Sequence, residues 1–135
     1  MQSQRYLQPL DQAQALALLA GAAVGRIAFV SGGRAEIRPV NHALVDGYLV
    51  LGSHVGTALV DAVRPGRVPV AYEVDELNAA ERSGWSVLVR GLAGLVLDDA
   101  ELDRYAPLVR PWIDQPMDQI VRIEVQLVTG FRLVD

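Results

Sequence analysis

Apolar positions along this chain recur in short runs of alternating character, punctuated by glycine-bearing turns, and that rhythm predicts β-hairpins over much of its length. Gly25 to Val30 reads as a strand, Ser31-Gly32-Gly33 as a turn, and Arg34 to His42 as a second, extended segment. Leu44 to Leu51 forms a further hairpin with Asp46-Gly47 at its tip, the residue pair that tolerates the left-handed backbone of a two-residue turn. Three short strands joined by tight turns imply an antiparallel barrel or sandwich. Arg34 to His42 is the most informative stretch, because it is extended yet carries polar groups into an apolar neighbourhood.

Other elements follow from the same pattern. Ala15 to Val24 predicts a helix, with Leu16, Leu19, Ala20 and Ala23 on one face, Asp11 as N-cap and Gly25 just beyond its end. Gly56 to Val63 predicts a short helix stopped by Arg64-Pro65-Gly66. In the next strand Val68, Val70, Tyr72 and Val74 form the buried face, and Pro69, which lacks an amide donor, belongs near an edge or bulge. Leu77 to Ser83 reads as a polar connection, and Gly84 to Leu97 as a long strand or a bent pair, with Gly91 and Gly94 as the bends. Asp98 and Glu101 resemble a capping box opening a helix whose face is Leu102, Tyr105, Ala106 and Val109, cut short by Pro107. A loop from Arg110 to Pro116 and two last strands, Gln119 to Val125 and Thr129 to Val134, complete the chain.

Composition narrows the chemistry. A chain of 135 residues, half of them hydrophobic, is read as one domain spanning 1–135 with a real core. Cysteine is absent, which removes disulfides, thiol nucleophiles and the usual zinc sites and is compatible with the cytoplasm. All 12 basic residues are arginine, so no lysine Schiff base or P-loop lysine exists here. A net charge of -4 with scattered arginines argues against nucleic acid as a partner, and no apolar run approaches a membrane span. The five serines show no nucleophile elbow. His42 and His54, separated by a strand without paired carboxylates, make a poor metal set, so no metal is expected. Trp85 shares a strand face with Val87 and Val89, and by itself this reads as a core or interface anchor; Trp112 reads likewise as loop packing.

Taken in order, Val24 to Val30, Ile37-Arg38-Pro39-Val40-Asn41-His42, Gly56-Thr57, Tyr72-Glu73-Val74-Asp75, Gly84 to Gly91, Arg110-Pro111-Trp112 and Val128 to Arg132 closely resemble the pyridoxamine 5'-phosphate oxidase-like, FMN-binding split-barrel family, in its small bacterial, nitroimidazole-resistance-like branch. The resemblance implies a mainly β fold with short helices, a six-stranded antiparallel Greek-key split β-barrel. It also implies a homodimer with a flavin in each of two interfacial clefts. Ile37 to His42, including Arg38, Pro39, Val40, Asn41 and His42, would run along the isoalloxazine ring. Ser53, His54 and Thr57, with amides at the start of the Gly56 helix, would receive the phosphate, Trp85 with Trp112 would wall the cleft, and Ser86 would be a further cofactor-binding residue. His42 is the best candidate for an acid or base.

The chain departs from the family at two cations: Gly52-Ser53 stands where Arg-Thr is usual, and Ala58 where lysine follows Gly-Thr. Each charge-assisted hydrogen bond is worth roughly 1.5 to 3 kcal/mol, so losing both weakens FMN by about two to four powers of ten unless Arg64 or Arg67 reaches back. Two readings therefore stand. The first is an FMN-binding oxidoreductase-like protein with an unknown small redox substrate. The second is a non-enzymatic or cofactor-drifted split-barrel dimer that binds a different ligand, a deazaflavin or haem, or none. Pyridoxamine phosphate fits poorly as a substrate, since a basic cluster for a second phosphate is missing.

Overall fold

The computed structural model describes residues 5–53, 57–109 and 118–134. Its chain order is β1 (Tyr6–Pro9), α1 (Gln12–Gly21), β2 (Val24–Ser31), β3 (Arg34–Val45), β4 (Tyr48–Ser53), α2 (Ala58–Val63), β5 (Val68–Asn78), β6 (Ser83–Leu95), α3 (Asp99–Tyr105) and β7 (Gln119–Val134), with a 3-10 turn at Ala106–Leu108. The strands follow the order β1-β7-β4-β3-β2-β5-β6, and β6 also pairs with β7. Six antiparallel strands therefore close a ring, the expected split barrel, and β1 is added outside it along β7. No sequence pattern announced β1.

Local chemistry explains the hairpins. Gly32 and Gly33 take φ of 57° and 75°, and Asp46 and Gly47 take 51° and 82°, so both turns are of the mirror-image kind that matches strand twist. Asp11 caps α1 by accepting from the Gln14 amide while the Gln14 side chain accepts from the Asp11 amide. The helix ends at Gly21, before the expected Val24, because Val24 is already paired with Asn41. Its buried residues are Ala15 and Leu19, and Ala20 and Ala23 are exposed, so only part of the expected face packs inward. At α3 the Asp98 carboxylate accepts from the Glu101 amide, but the Glu101 carboxylate turns to Arg122. Of the face expected there, Ala106 is exposed.

The two final strands are one. β7 runs unbroken, with β6 paired along it from Val121 to Leu133 and a bulge that pairs Arg90 with Leu127 and Gly91 with Val125, leaving Gln126 as the extra residue. Gly91 permits this, since a Cβ there would stand 2.2 Å from the Glu124 carbonyl oxygen. Gly94 has ordinary clearance and makes no such bend. Pro69 lies in the part of β5 beyond its pairing with β2, as expected of a residue without an amide hydrogen.

The core fills the barrel with the inward residues Ile27, Phe29, Leu49, Leu51, Tyr72, Val74, Val87, Val89, Val121 and Ile123. α2 contributes Leu59 and Val63, and α1 adds Ala15 and Leu19. A second cluster outside the ring seats α3 through Tyr105 on Val50 and Ile120.

Candidate functional site

The barrel is split at β3. From Arg34 to Asn41 this strand pairs with β2, and from His42 to Val45 it pairs with β4. Partners change at one residue, so among the described residues Arg34 to Asn41 has no strand along its second edge. Its backbone donors and acceptors on that side face an opening. Across the opening β4 continues to Gly52 and Ser53, which pair with Ile120 and Gln119 of β7, and the chain then enters α2. The two segments singled out by sequence thus border one gap, diverging from the His42–Leu51 pair.

On the β4 side, the Ser53 and Thr57 hydroxyls lie 3.1 Å apart. Thr57 also caps α2, accepting from the Val60 amide at 3.2 Å. In this six-residue helix that bond occupies one first-turn amide, that of Val60. His54 and Gly56 lie outside the described residues, as does Trp112.

On the β3 side, Pro39 and Asn41 point away from the core, in the outward register of Arg26 and Val24. Val40 is half-buried and packs on the core. The Arg38 guanidinium donates to the Ile37 carbonyl at 2.8 Å, pairs with Glu36 at 2.9 Å and lies 5.9 Å from the centre of the Phe29 ring. Contrary to the expectation that this segment is carried deep, Arg34 to Pro39 is largely exposed in the single chain; only His42 is buried.

His42 departs furthest from its expected role. Its Nε2 lies 2.9 Å from the Leu19 carbonyl and its Nδ1 2.5 Å from the Tyr72 hydroxyl. A carbonyl can only accept, so Nε2 carries the proton and Nδ1 accepts from Tyr72. Burial lowers the pKa of the ring, partly offset by the Leu19 bond. Both nitrogens of this neutral imidazole are engaged inside the fold, so the side chain is a core polar group with no free position for acid or base work. Tyr72, which sequence reasoning placed only on a buried face, is its partner; burial raises the tyrosine's pKa beyond the usual range. The close approach of Gly25 is the local sign of this pair, because a Cβ there would lie 2.5 Å from the Tyr72 ring.

Trp85 and Ser86 stand apart from β3 along the sheet. They sit on β6, with β2 and β5 between that strand and β3, a span of roughly 14 Å at the usual strand spacing. Trp85 packs half-buried against the core, and Ser86 faces outward beside Asp75 and Phe131. Nor does either arginine supply the missing cation. Arg64 pairs with Asp61 at 3.4 Å, and Arg67 pairs with Glu124 at 3.1 Å on the outer face.

The outer face of β2, β3, β5 and β6 joins Ala28, Val30, Ala35, Pro69, Ala71 and Leu92 in a shallow apolar depression of about 440 Å³. Beside it Arg26 stands between Glu73 at 3.3 Å and Asp75 at 3.4 Å. Burial, then the hydrogen bond and charge of Asp75, push the Glu73 carboxyl up to about 7 against the pull of Arg26. Among the described residues no group of three or more metal-ligating side chains occurs, and no helix is long and apolar enough to cross a membrane.

Residues 11–132 match the family model described as pyridoxamine 5'-phosphate oxidase. The chain belongs to this family. An uncharacterized protein of Mycobacterium tuberculosis, Rv0080, is 42% identical over 136 residues, covering 98% of this chain and 90% of that protein. Among solved structures, the FAD binding protein from Mycobacterium smegmatis is 27% identical with a TM-score of 0.71, covering 94% of this chain and 98% of the other. A candidate pyridoxamine 5'-phosphate oxidase from Corynebacterium glutamicum, 26% identical, superposes with a TM-score of 0.79 over 94% of this family member and 98% of its own chain.

Proposed function

We propose that this family member binds a flavin in the split of its barrel, as an oxidoreductase-like protein acting on a small redox substrate. One observation carries the reading: β3 exchanges partners at His42, which leaves the backbone of Arg34 to Asn41 open opposite the Ser53 and Thr57 hydroxyls. A planar ring with carbonyl and N–H groups along its edges complements such a strand edge. The Ser53 and Thr57 hydroxyls suit a ribityl or phosphate oxygen. The residues present therefore fit the ring and the sugar chain, while among the described residues no guanidinium stands at the phosphate end. When bound, the flavin supplies hydride or electron transfer; the protein's part is to orient the ring and exclude water.

FMN is the proposed cofactor, with Arg38 to Asn41 along the ring through their backbone. Because Trp85 and Ser86 lie three strands from the split, walling the cleft requires them from a second copy. The apolar outer face around Ala28 and Ala71 supports a homodimer, since single chains seldom leave such a surface open.

The absence of a cation beside Ser53 and Thr57 among the described residues favours a second reading, in which the fold has lost FMN and takes a deazaflavin, haem or no cofactor. Visible absorption during FMN titration tests both. Flavin bands that shift and saturate, more weakly in Thr57→Val, support the first. Bands that never perturb would overturn it, and titration with a deazaflavin and with haem then tests the second.

A further inference from the structure

A cavity of about 300 Å³ opens on the outer face of the sheet, at the opposite end of β4 from Ser53. The length of β4 separates the two places by roughly 17 Å. Tyr48, Arg67, Arg122 and Glu124 line it, together with residues 92–95 of β6. Strand register builds the arrangement: Glu124 lies between Tyr48 and Leu92, and Arg122 between Val50 and Gly94. Gly94 presents no side chain, so the space beside Arg122 stays open. The Gly66-Arg67 turn closes on that strand, with the Gly66 Cα 3.5 Å from where a Cβ of Gly94 would be.

Both arginines are positioned rather than loose. The Arg122 guanidinium lies 4.8 Å from the centre of the Tyr48 ring and donates through Nη1 to the Glu101 carboxylate and the Tyr105 hydroxyl. Arg67 donates through Nη1 to Glu124, from a backbone at φ 53° where glycine would be unstrained. Among the described residues Nε and Nη2 of both guanidiniums make no hydrogen bond, so several strong donors remain at the walls of one cavity. The Arg67–Glu124 pair is exposed on both sides, and such a pair is readily exchanged for another anion.

We propose that this cavity is a second site, distinct from the split, that takes a small oxyanion, a phosphate or carboxylate group, between Arg67 and Arg122. Planar guanidiniums suit both groups through paired N–H bonds. Glu124 acts as the resident competitor, holding Arg67 until an anion displaces it.

Two-dimensional NMR of the full chain, titrated at constant ionic strength with inorganic phosphate and separately with acetate, tests this. We expect saturable shifts centred on the amides of Arg67, Gly94 and Arg122, and the tighter anion identifies which group the site prefers. Arg67→Gly keeps the left-handed backbone unstrained and should weaken binding at least tenfold. Glu124→Gln removes the competitor and should tighten it several-fold. Shifts that fail to saturate with either anion, or an Arg67→Gly protein that binds as the parent does, would overturn the proposal. Neither outcome bears on the flavin reading, whose residues lie at the other end of β4.

Discussion

The Tyr72 hydroxyl lies 2.5 Å from Nδ1 of His42, and the two rings meet edge to face with centroids 5.1 Å apart. This contact joins β5 to β3, two strands that are not neighbours in the sheet, and the Leu19 carbonyl extends it to α1. Tyr72→Phe would leave the imidazole nitrogen buried without a donor, at a cost of about 1 to 3 kcal/mol. Urea unfolding should show that loss, and an unchanged midpoint would mean that water replaces the hydroxyl. Gly25→Ala should cost more, because its methyl would overlap the Tyr72 ring.

Two groups give stability a pH dependence of opposite sign. Burial lowers the His42 pKa from its ordinary 6.5, so below that value the unfolded chain takes up a proton the fold refuses, and stability falls as the pH drops through about 6.5. Glu73 has its carboxyl raised from 4.5 to about 7, so the folded protein keeps a proton that the unfolded chain releases. That contribution is complete below about 4.5 and is lost as pH rises through about 7. Melting temperatures from pH 4 to 9 should show the parent losing stability relative to Glu73→Gln as pH rises from about 4.5 to about 7, with the two profiles parallel at higher pH. Profiles of parent and variant that stay parallel between about pH 4.5 and 7 would count against a raised Glu73.

Restoring the family's cations tests the phosphate end of the split. Ala58→Lys and Gly52→Arg should each tighten FMN by roughly 10- to 100-fold, the equivalent of one charge-assisted bond. Fluorescence quenching of FMN measures it. No gain from either would place the phosphate elsewhere.

Association through the outer sheet face can be broken at its centre. Ala71→Arg, at a half-buried position of β5 that borders the apolar depression, should give a monomer by light scattering and weaken FMN at the same time. A variant that remains dimeric would move the interface to another face.

Gly91→Ala tests the closure of the ring. Its Cβ would stand 2.2 Å from the Glu124 carbonyl oxygen, against backbone that cannot yield without breaking the β6–β7 ladder. The expected result is an unfolded or aggregated protein, read by circular dichroism; a native spectrum and melting temperature would contradict this account of the bulge.

Features set by a few neighbouring residues were legible in the sequence alone. Gly32-Gly33 and Asp46-Gly47 can adopt positive φ, Asp11 and Gln14 can cap one another, and alternation from Val70 to Val74 fixes an inward face; each depends on backbone or side-chain chemistry within a few residues. The motif order also identified the family, and with it the barrel, its split and the two segments that border it. Tertiary structure decided the rest, because it depends on partners far away in the chain. β1 exists only because the end of β7 offers it an edge, and two apparent strands became one because β6 runs past both. The polarity of His42 suggested a ligand, but Tyr72, thirty residues on, turned it into a core group. Arg67 looked free to return to the phosphate until the fold set Glu124, 57 residues later, within its reach. Periodicity reports which side of a strand is apolar; which charge meets which is settled only when the strands close.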